Sequence, residues 1–384
     1  MIRDPESFQI FLNEIRRWVK EVAMPAEARV EAEDQIPEEL VEQMRDLGFF
    51  GWSIPEQFGG AGLTAEELVL AAMELSQCAT AFRARVGTNT GIGSEALVAD
   101  GTEEQKARYL PSLASGEVTG CFALTEPEAG SQATALRTRA VRDGDEYILN
   151  GSKCFITNAP IAGLFTVMAR TDPEDLSAKG ISAFIVEGDT PGLSVGNPYK
   201  KMGQAGSPVS EVYFQDCRVP AANLIGGVEG KGFVTAMKVL NKQRLHLSAL
   251  CTGPAMRMRD EALAHALKRR QFGQPIADFQ LVQAMIADIQ TEIHAARALI
   301  LETARKRDQG EDIKLEASMC KYFASEMCGR VADKAVQIFG GAGYVADYSC
   351  IERLYRDARL FRLYEGTSQI HQLNIAKLTL RAAC

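Results

Sequence analysis

Asp143-Gly144-Asp145-Glu146-Tyr147-Ile148-Leu149-Asn150-Gly151 is the stretch that divides the chain. Asp-Gly and Asn-Gly are dipeptides that suit sharp reversals, and here they flank Tyr147-Ile148-Leu149, a short run of strand formers. The pattern predicts successive antiparallel strands joined by tight turns. The same texture continues through Phe165-Thr166-Val167-Met168, residues 181–186 and Val212-Tyr213-Phe214. Residues 119–228 therefore read as a central β-domain.

Both flanks have the period of helices. On the N-terminal side, Phe8, Phe11, Leu12, Ile15 and Val19 recur at three- and four-residue spacing after an Asp4-Pro5 helix start. Thr64 with Glu67, and Thr102 with Gln105, have capping-box spacing. Pro37 fits the first turn of a helix carrying Leu40, Val41, Met44 and Leu47. Residues 1–118 are thus expected to form a helical domain. Helical periods return over 229–384, with segments expected near 230–250, 254–270, 278–309 and 313–339, and a last helix after Gly366 with Ile370, Leu373 and Ile375 facing inward. The fold class is mixed α and β: helices, an antiparallel β-domain, then a helical bundle.

The 384 residues, 46% of them hydrophobic, are enough for a sizeable core and two or three domains. Fifty acidic against 42 basic side chains give a net charge of -8, which disfavours a nucleic-acid surface, so any phosphate recognition must be local. Nine cysteines without a C-x-x-C pair fit reduced thiols. No run approaches ~20 apolar residues, and the first residues do not read as an export signal. A cytoplasmic protein without a membrane span is expected, and a mature mitochondrial matrix protein would look the same. The four histidines, His246, His265, His294 and His371, lack a repeated ligand spacing, so no metal site is expected.

Taken alone, the chemistry-bearing strings are ordinary. Thr125-Glu126-Pro127-Glu128-Ala129-Gly130-Ser131 is a polar turn. Lys153-Cys154-Phe155-Ile156-Thr157-Asn158 places a ring and a hydroxyl at a strand end. Glu365, just before a helix, would serve the helix dipole. Gly341-x-Gly343-x-x-Ala346 matches a loose dinucleotide fingerprint, but the preceding residues read as helix where a strand is required.

Together with Tyr364-Glu365-Gly366-Thr367, these strings follow the order and approximate spacing of the acyl-CoA dehydrogenase family, which this chain resembles. The likeness continues through Lys201-Met202-Gly203, Phe214-Gln215-Asp216-Cys217-Arg218-Val219-Pro220, Gly230-Lys231-Gly232-Phe233, Arg269-Arg270-Gln271-Phe272-Gly273 and Gln337-Ile338-Phe339-Gly340-Gly341-Ala342-Gly343.

The resemblance implies an FAD enzyme whose C-terminal domain is a four-helix bundle, assembled as a homodimer or homotetramer. Phe122, Leu124, Thr125, Gly130 and Ser131 would line the flavin, with Phe155 and Thr157 on its ring. Arg269, Gln271, Phe272, Gln337, Gly340 and Gly341 would hold the adenosine-diphosphate half, across a subunit boundary. Gln280, Thr367 and Gln369 complete the cofactor set. Ser131, Asn241, Arg244, Tyr364 and Gly366 are implied to contact an acyl-CoA substrate. Glu365 is the implied base: it removes the α-proton while hydride leaves the β-carbon for flavin N5, as in fatty acid β-oxidation. The glutamate's backbone N–H and a ribityl hydroxyl would stabilise charge on the thioester oxygen. Electron-transferring flavoprotein is the implied acceptor; the alternatives are an oxidase using oxygen and a non-catalytic flavin- or CoA-binding scaffold.

The chain departs from the family pattern with Phe155 at a frequent tryptophan, Gln132 at a common aspartate and Ala205 at a frequent arginine. Gln243 stands where some members carry the base, which leaves Glu365 as the one placement. Burial should raise the pKa of Glu365 and the following helix should lower it. Small residues in Gly91-Ile92-Gly93-Ser94-Glu95-Ala96 are expected on a helix lining the acyl tail.

Overall fold

The computed structural model describes residues 1–383. Seven α-helices precede the first strand: α1 Pro5–Trp18, α2 Met24–Glu33, α3 Glu38–Asp46, α4 Ala65–Leu75, α5 Thr80–Gly87, α6 Glu95–Asp100 and α7 Glu103–Ser115. Their starts follow the capping chemistry. Asp4 accepts from the Glu6 and Ser7 N–H groups, and both predicted capping boxes form. Pro37 is the residue before α3 rather than part of its first turn. Trp18 packs edge-on against Phe49 and Phe82, with ring centroids 5.4 and 5.5 Å apart, at the centre of this region's core.

The strands are β1 Gly120–Ala123, β2 Arg139–Asp143, β3 Glu146–Thr157, β4 Leu164–Arg170, β5 Ile181–Glu187, β6 Leu193–Val195 and β7 Val209–Pro220. Their order in the sheet is β1-β4-β2-β3-β7-β6, with β5 on β4. Most pairs are antiparallel, while β1 and β2 meet β4 in parallel. The Asp143-Gly144 turn closes the β2–β3 hairpin at Asp143 and Glu146, as expected. Asn150-Gly151 does not turn the chain. β3 runs through it with a register shift against β7, and a Cβ on Gly151 would lie 2.5 Å from Thr138 Oγ1. That glycine serves close approach at a bulge.

After the sheet come α8 Gly232–Lys268, the hairpin of β8 Arg270–Gln271 and β9 Gln274–Pro275, α9 Gln280–Asp308, α10 Lys314–Phe339, α11 Gly341–Tyr344, α12 Ile351–Ala358 and α13 Ser368–Ala382. The two helices expected over 230–250 and 254–270 are one 37-residue helix, with Pro254 in its interior. A mid-helix proline costs about 3 kcal/mol. Here residues 243–255 are buried without a break, against α4, α9 and α10, and that packing outweighs the local penalty. In α13 the buried residues are Ser368 and His371, whereas Leu373, expected to face inward, is 67% exposed. The stretch from Gly91 to Ala96 is not one helix: Gly91 has non-helical dihedrals within the π-helical turn Thr88–Ile92, and α6 starts only at Glu95. Arg353 and Arg356 pair with Glu27 and Glu31, tying α12 to α2. Among the described residues, no helix is long and apolar enough to cross a membrane.

Candidate active site

A cavity of ≈ 520 Å³ opens where the three regions meet. Its walls are α5 with the following π-helical turn, β1 with the turn after it, the far end of β3, the middle of α8 and the loop before α13. This volume lies in the range of small-molecule sites. Phe122, Leu124, Thr125, Gly130, Ser131, Phe155, Thr157, Arg244, Tyr364, Glu365 and Gly366 all line it, so strings far apart in sequence converge.

Two of those strings are pinned together by a buried charge. Lys153, fully buried, donates from Nζ to Glu126 Oε1 at 2.7 Å and to the Leu124 carbonyl at 3.2 Å. Glu126 also accepts from the Arg137 and Thr138 N–H groups, and Cys154 N–H donates to the Thr125 carbonyl at 2.9 Å. Burial pulls the Lys153 ammonium down to about 8, while Glu126 holds it up. Two residues on, the β3 register shifts again and Phe155 takes a positive φ of 58°. Its ring stays 67% exposed on the cavity wall, 5.4 Å from that of Tyr199. An open aromatic face beside the hydroxyls of Thr125, Ser131 and Thr157 fits a planar, hydrogen-bonding ring system.

Glu365 also lines the cavity, in a left-handed conformation, φ 51°. Such a backbone is costly for a residue with a side chain and persists only where its surroundings impose it. Lys321 Nζ donates to the Gly366 carbonyl at 2.6 Å, and the His371 ring contacts the Glu365 carbonyl at 3.2 Å. Thr367 caps α13 by accepting from the Ile370 N–H. The carboxylate itself is left without a partner at its buried Oε2. Burial pushes its pKa up to about 7, restrained by Lys321, Arg244 and Arg83. Burial therefore outweighs the helix terminus that follows.

Four residues at or near the cavity had no site role in the sequence reading. Arg83 and His246 lie against one another, buried, on the cavity wall. Lys321 sits on α10, and His371 is held neutral by burial, which draws its pKa down to about 3. The available signal was a pair of arginines, Arg83 and Arg85, in a short helix otherwise made of small and apolar residues. Asn241 lies beside the wall and accepts from Arg244 Nη1 at 2.8 Å.

The remaining sequence-predicted contacts stand elsewhere. Arg269, Gln271, Phe272, Gln280, Gln337, Gly340 and Gly341 are exposed and outside the cavity, and so is Gln369. His265 stacks on Phe339 at 4.1 Å, bringing the end of α8, which leads to the first of these residues, against the end of α10. Gly340 turns the chain there with φ 61° and ψ -138°, a conformation suited to glycine, and no strand precedes it.

Three family models match the chain. They describe the N-terminal domain of acyl-CoA dehydrogenase over residues 5–117, its middle domain over 121–217 and its C-terminal domain over 230–380. An acyl-CoA dehydrogenase of Bacillus subtilis is 42% identical over 366 residues, 95% of this chain and 96% of that protein. An NADH-dependent acryloyl-CoA reductase of Anaerotignum propionicum is 42% identical over 376 residues, 97% and 94% of the two chains. A solved chain from work on the electron transferring flavoprotein of Acidaminococcus fermentans superposes with a TM-score of 0.95. It is 38% identical, with 99% of this chain and 100% of that chain covered.

Proposed function

The chain belongs to the acyl-CoA dehydrogenase family, an FAD-dependent group of oxidoreductases acting on acyl-CoA, and on that premise we propose that it desaturates an acyl-CoA thioester to the trans-2-enoyl-CoA with Glu365 as base. The observation that carries the reading is the buried, unpartnered Oε2 of Glu365 in the same cavity as the exposed Phe155 ring.

A carboxylate that must take a proton from carbon works best when its own pKa is raised toward the working pH. Burial does this for Glu365, and the cations around it keep a substantial fraction ionised near neutrality. The Lys321 and His371 contacts to its loop hold the carboxylate in place. Among the described residues the Glu365 backbone N–H has no acceptor, which suits it to a developing charge on the thioester oxygen. Bound FAD supplies the acceptor, at N5, for the hydride that leaves the β-carbon. Asn241, Arg244 and Ser131 are assigned to the CoA arm, and the wall from Phe122 to Ser131 with Phe155, Thr157, Thr367 and Gln369 to the flavin.

The adenosine-diphosphate half is assigned to Arg269, Gln271, Phe272, Gln337, Gly340 and Gly341, completed by a second subunit, and Gln280 to the cofactor. The 92% exposure of Phe272, with Leu281, Tyr344 and Tyr348 also exposed in this region of the chain, supports an interface here, in a homodimer or homotetramer. Domains are placed at 1–118, 119–228 and 229–384, in a cytoplasmic protein. Likeness to the Acidaminococcus chain supports an electron-transferring flavoprotein as acceptor. The 42% identity to a reductase favours a second reading, in which the same residues run the reaction backwards and Glu365 returns the proton.

The test is anaerobic addition of straight and branched acyl-CoAs to the FAD-loaded protein. Flavin bleaching with formation of a product two hydrogens lighter is expected. Bound FAD that no thioester bleaches, while CoA still binds, would leave the scaffold reading in its place.

A further inference from the structure

Of the string Arg353-x-x-Arg356-Asp357, the two arginines pair with glutamates of α2, but among the described residues Asp357 forms no ion pair. It is 3% exposed, and its carboxylate accepts instead from the backbone N–H of Gln204, in the loop between β6 and β7. The Gln204 side chain returns the contact, donating from Nε2 to the Asp357 carbonyl at 3.2 Å. A carboxylate taken out of water and spent on one backbone donor marks a place where the chain must be held.

Gln204 is that place. It is 4% exposed, lines the cavity and has a left-handed backbone, φ 57°, which a residue with a Cβ keeps only under constraint. The loop is pinned on both sides of it: Arg356 Nη1 donates to the Met202 carbonyl at 3.0 Å, and the Gly206 N–H donates to Asp34 at 2.7 Å. Gly203 permits the close approach, since a Cβ there would lie 2.8 Å from both Asp357 N and Oδ1. On the cavity side the Gln204 amide reaches the phenol of Tyr364, the residue directly before Glu365. Glu365 and Gly366 both have positive φ, so this stretch needs support from outside itself. Lys321 and His371 hold the Gly366 and Glu365 carbonyls, and Gln204 supplies the contact on the preceding residue.

We infer that Asp357 is a positioning residue for the reaction: through Gln204 it holds Tyr364, and so sets where the Glu365 carboxylate meets the α-proton. This rests on the dehydrogenase reading and adds a residue to it. Asp357 itself does not line the cavity, and the residues assigned to the CoA arm lie on other elements. What the contact requires is an acceptor oxygen rather than a charge, because an amide oxygen satisfies a backbone N–H as a carboxylate does. The cations that restrain the pKa of Glu365 are Lys321, Arg244 and Arg83, so the role of Asp357 is geometric.

The experiment measures anaerobic flavin reduction by a productive acyl-CoA in the FAD-loaded wild type, Asp357→Ala, Asp357→Asn, Gln204→Gly and the double variant Asp357→Ala with Gln204→Gly. Asp357→Ala should lower the saturating rate roughly 10- to 100-fold with the half-saturating concentration little changed, because a misplaced base loses rate while the CoA contacts stay. Asp357→Asn should restore most of that rate, with the ionisation of Glu365 unmoved in its pH profile. Gln204→Gly keeps a left-handed backbone without strain but removes the amide from Tyr364, so it should be slow as well, and adding Asp357→Ala to it should cost little more. Where Asp357→Ala does not fold, Gln204→Gly carries the same test with α12 intact. Wild-type rates in a folded Asp357→Ala or in Gln204→Gly overturn the inference. An Asp357→Asn variant as slow as Asp357→Ala also overturns it, since the charge then matters, and so do losses that multiply in the double variant, since Asp357 then acts apart from Gln204. Each of these leaves the dehydrogenase reading standing, whereas a wild type that no thioester bleaches overturns both.

Discussion

Glu67 and Glu365 both stand at the start of a helix, and they do opposite things. Glu67 completes a capping box: it accepts from Thr64 N–H at 3.0 Å and from the Arg3 guanidinium, and Thr64 caps Glu67 N–H in return. Burial works to raise its pKa, but those donors win and hold it below the ordinary carboxylate range. Glu365 lies two residues before the cap of α13, with a left-handed backbone and an oxygen sealed away from any donor, and its pKa is pushed up to about 7. One glutamate spends its charge on the scaffold. The other is kept available. The same residue type is tied into the scaffold where every local rule is met, and left without a partner where several are broken at once.

The comparison breaks most sharply at Glu365→Gln. Flavin reduction should fall by about 100- to 10,000-fold, equivalent to roughly 3 to 5 kcal/mol of barrier, while acyl-CoA binding saturates normally in a titration. Lys153→Met asks whether a buried charge that is paired belongs to the scaffold. Denaturant unfolding should show a loss of about 3 to 5 kcal/mol, because Glu126 is left without its cation. Arg269→Ala moves the question to the exposed end of the bundle. It should weaken FAD retention roughly tenfold with helical circular dichroism intact. Full flavin occupancy in a dilute, strictly monomeric sample would contradict the shared site.

Thr64→Ala is the smallest expected effect, about 0.5 to 2 kcal/mol of stability with no change in the rate of flavin reduction. Glu67→Gln sharpens it through pH. The folded pKa of Glu67 is depressed, so its ionic contribution is present above the ordinary carboxylate pKa and fades as pH falls through the folded value. The stability gap between Glu67→Gln and wild type should therefore shrink on acidification.

What the sequence made legible follows the same divide. Asp4, Thr64 and Thr102 announce their helices because capping is a local interaction, and Asp143-Gly144 announces its hairpin for the same reason. Pro254 misled because the packing that overrides it comes from α4, α9 and α10, distant in sequence. Asn150-Gly151 misled because its glycine answers to Thr138 on another segment. At the site, resemblance singled out Phe155, Thr157, Arg244 and Glu365, all of which line one cavity. It did not single out Arg83, Lys321 or His371, whose importance lies in missing hydrogen bonds or in bonds to the Glu365 loop that no local spacing encodes. The inward face assigned to Leu373 failed for a related reason: its helical period is apolar, but within one chain nothing covers it.

The most direct measurement is the second-order rate of anaerobic flavin reduction at low substrate, from about pH 5 to about pH 9, in wild type and Glu365→Gln. Under these conditions the profile reports ionisations of the free enzyme. The base acts only when deprotonated, so the wild-type rate should rise with pH through a single ionisation near the value of about 7 that burial imposes, then level off. The residual rate of Glu365→Gln should lack that ionisation. A wild-type profile flat across the range, or the same ionisation persisting in Glu365→Gln, would contradict the assignment of Glu365 as the base.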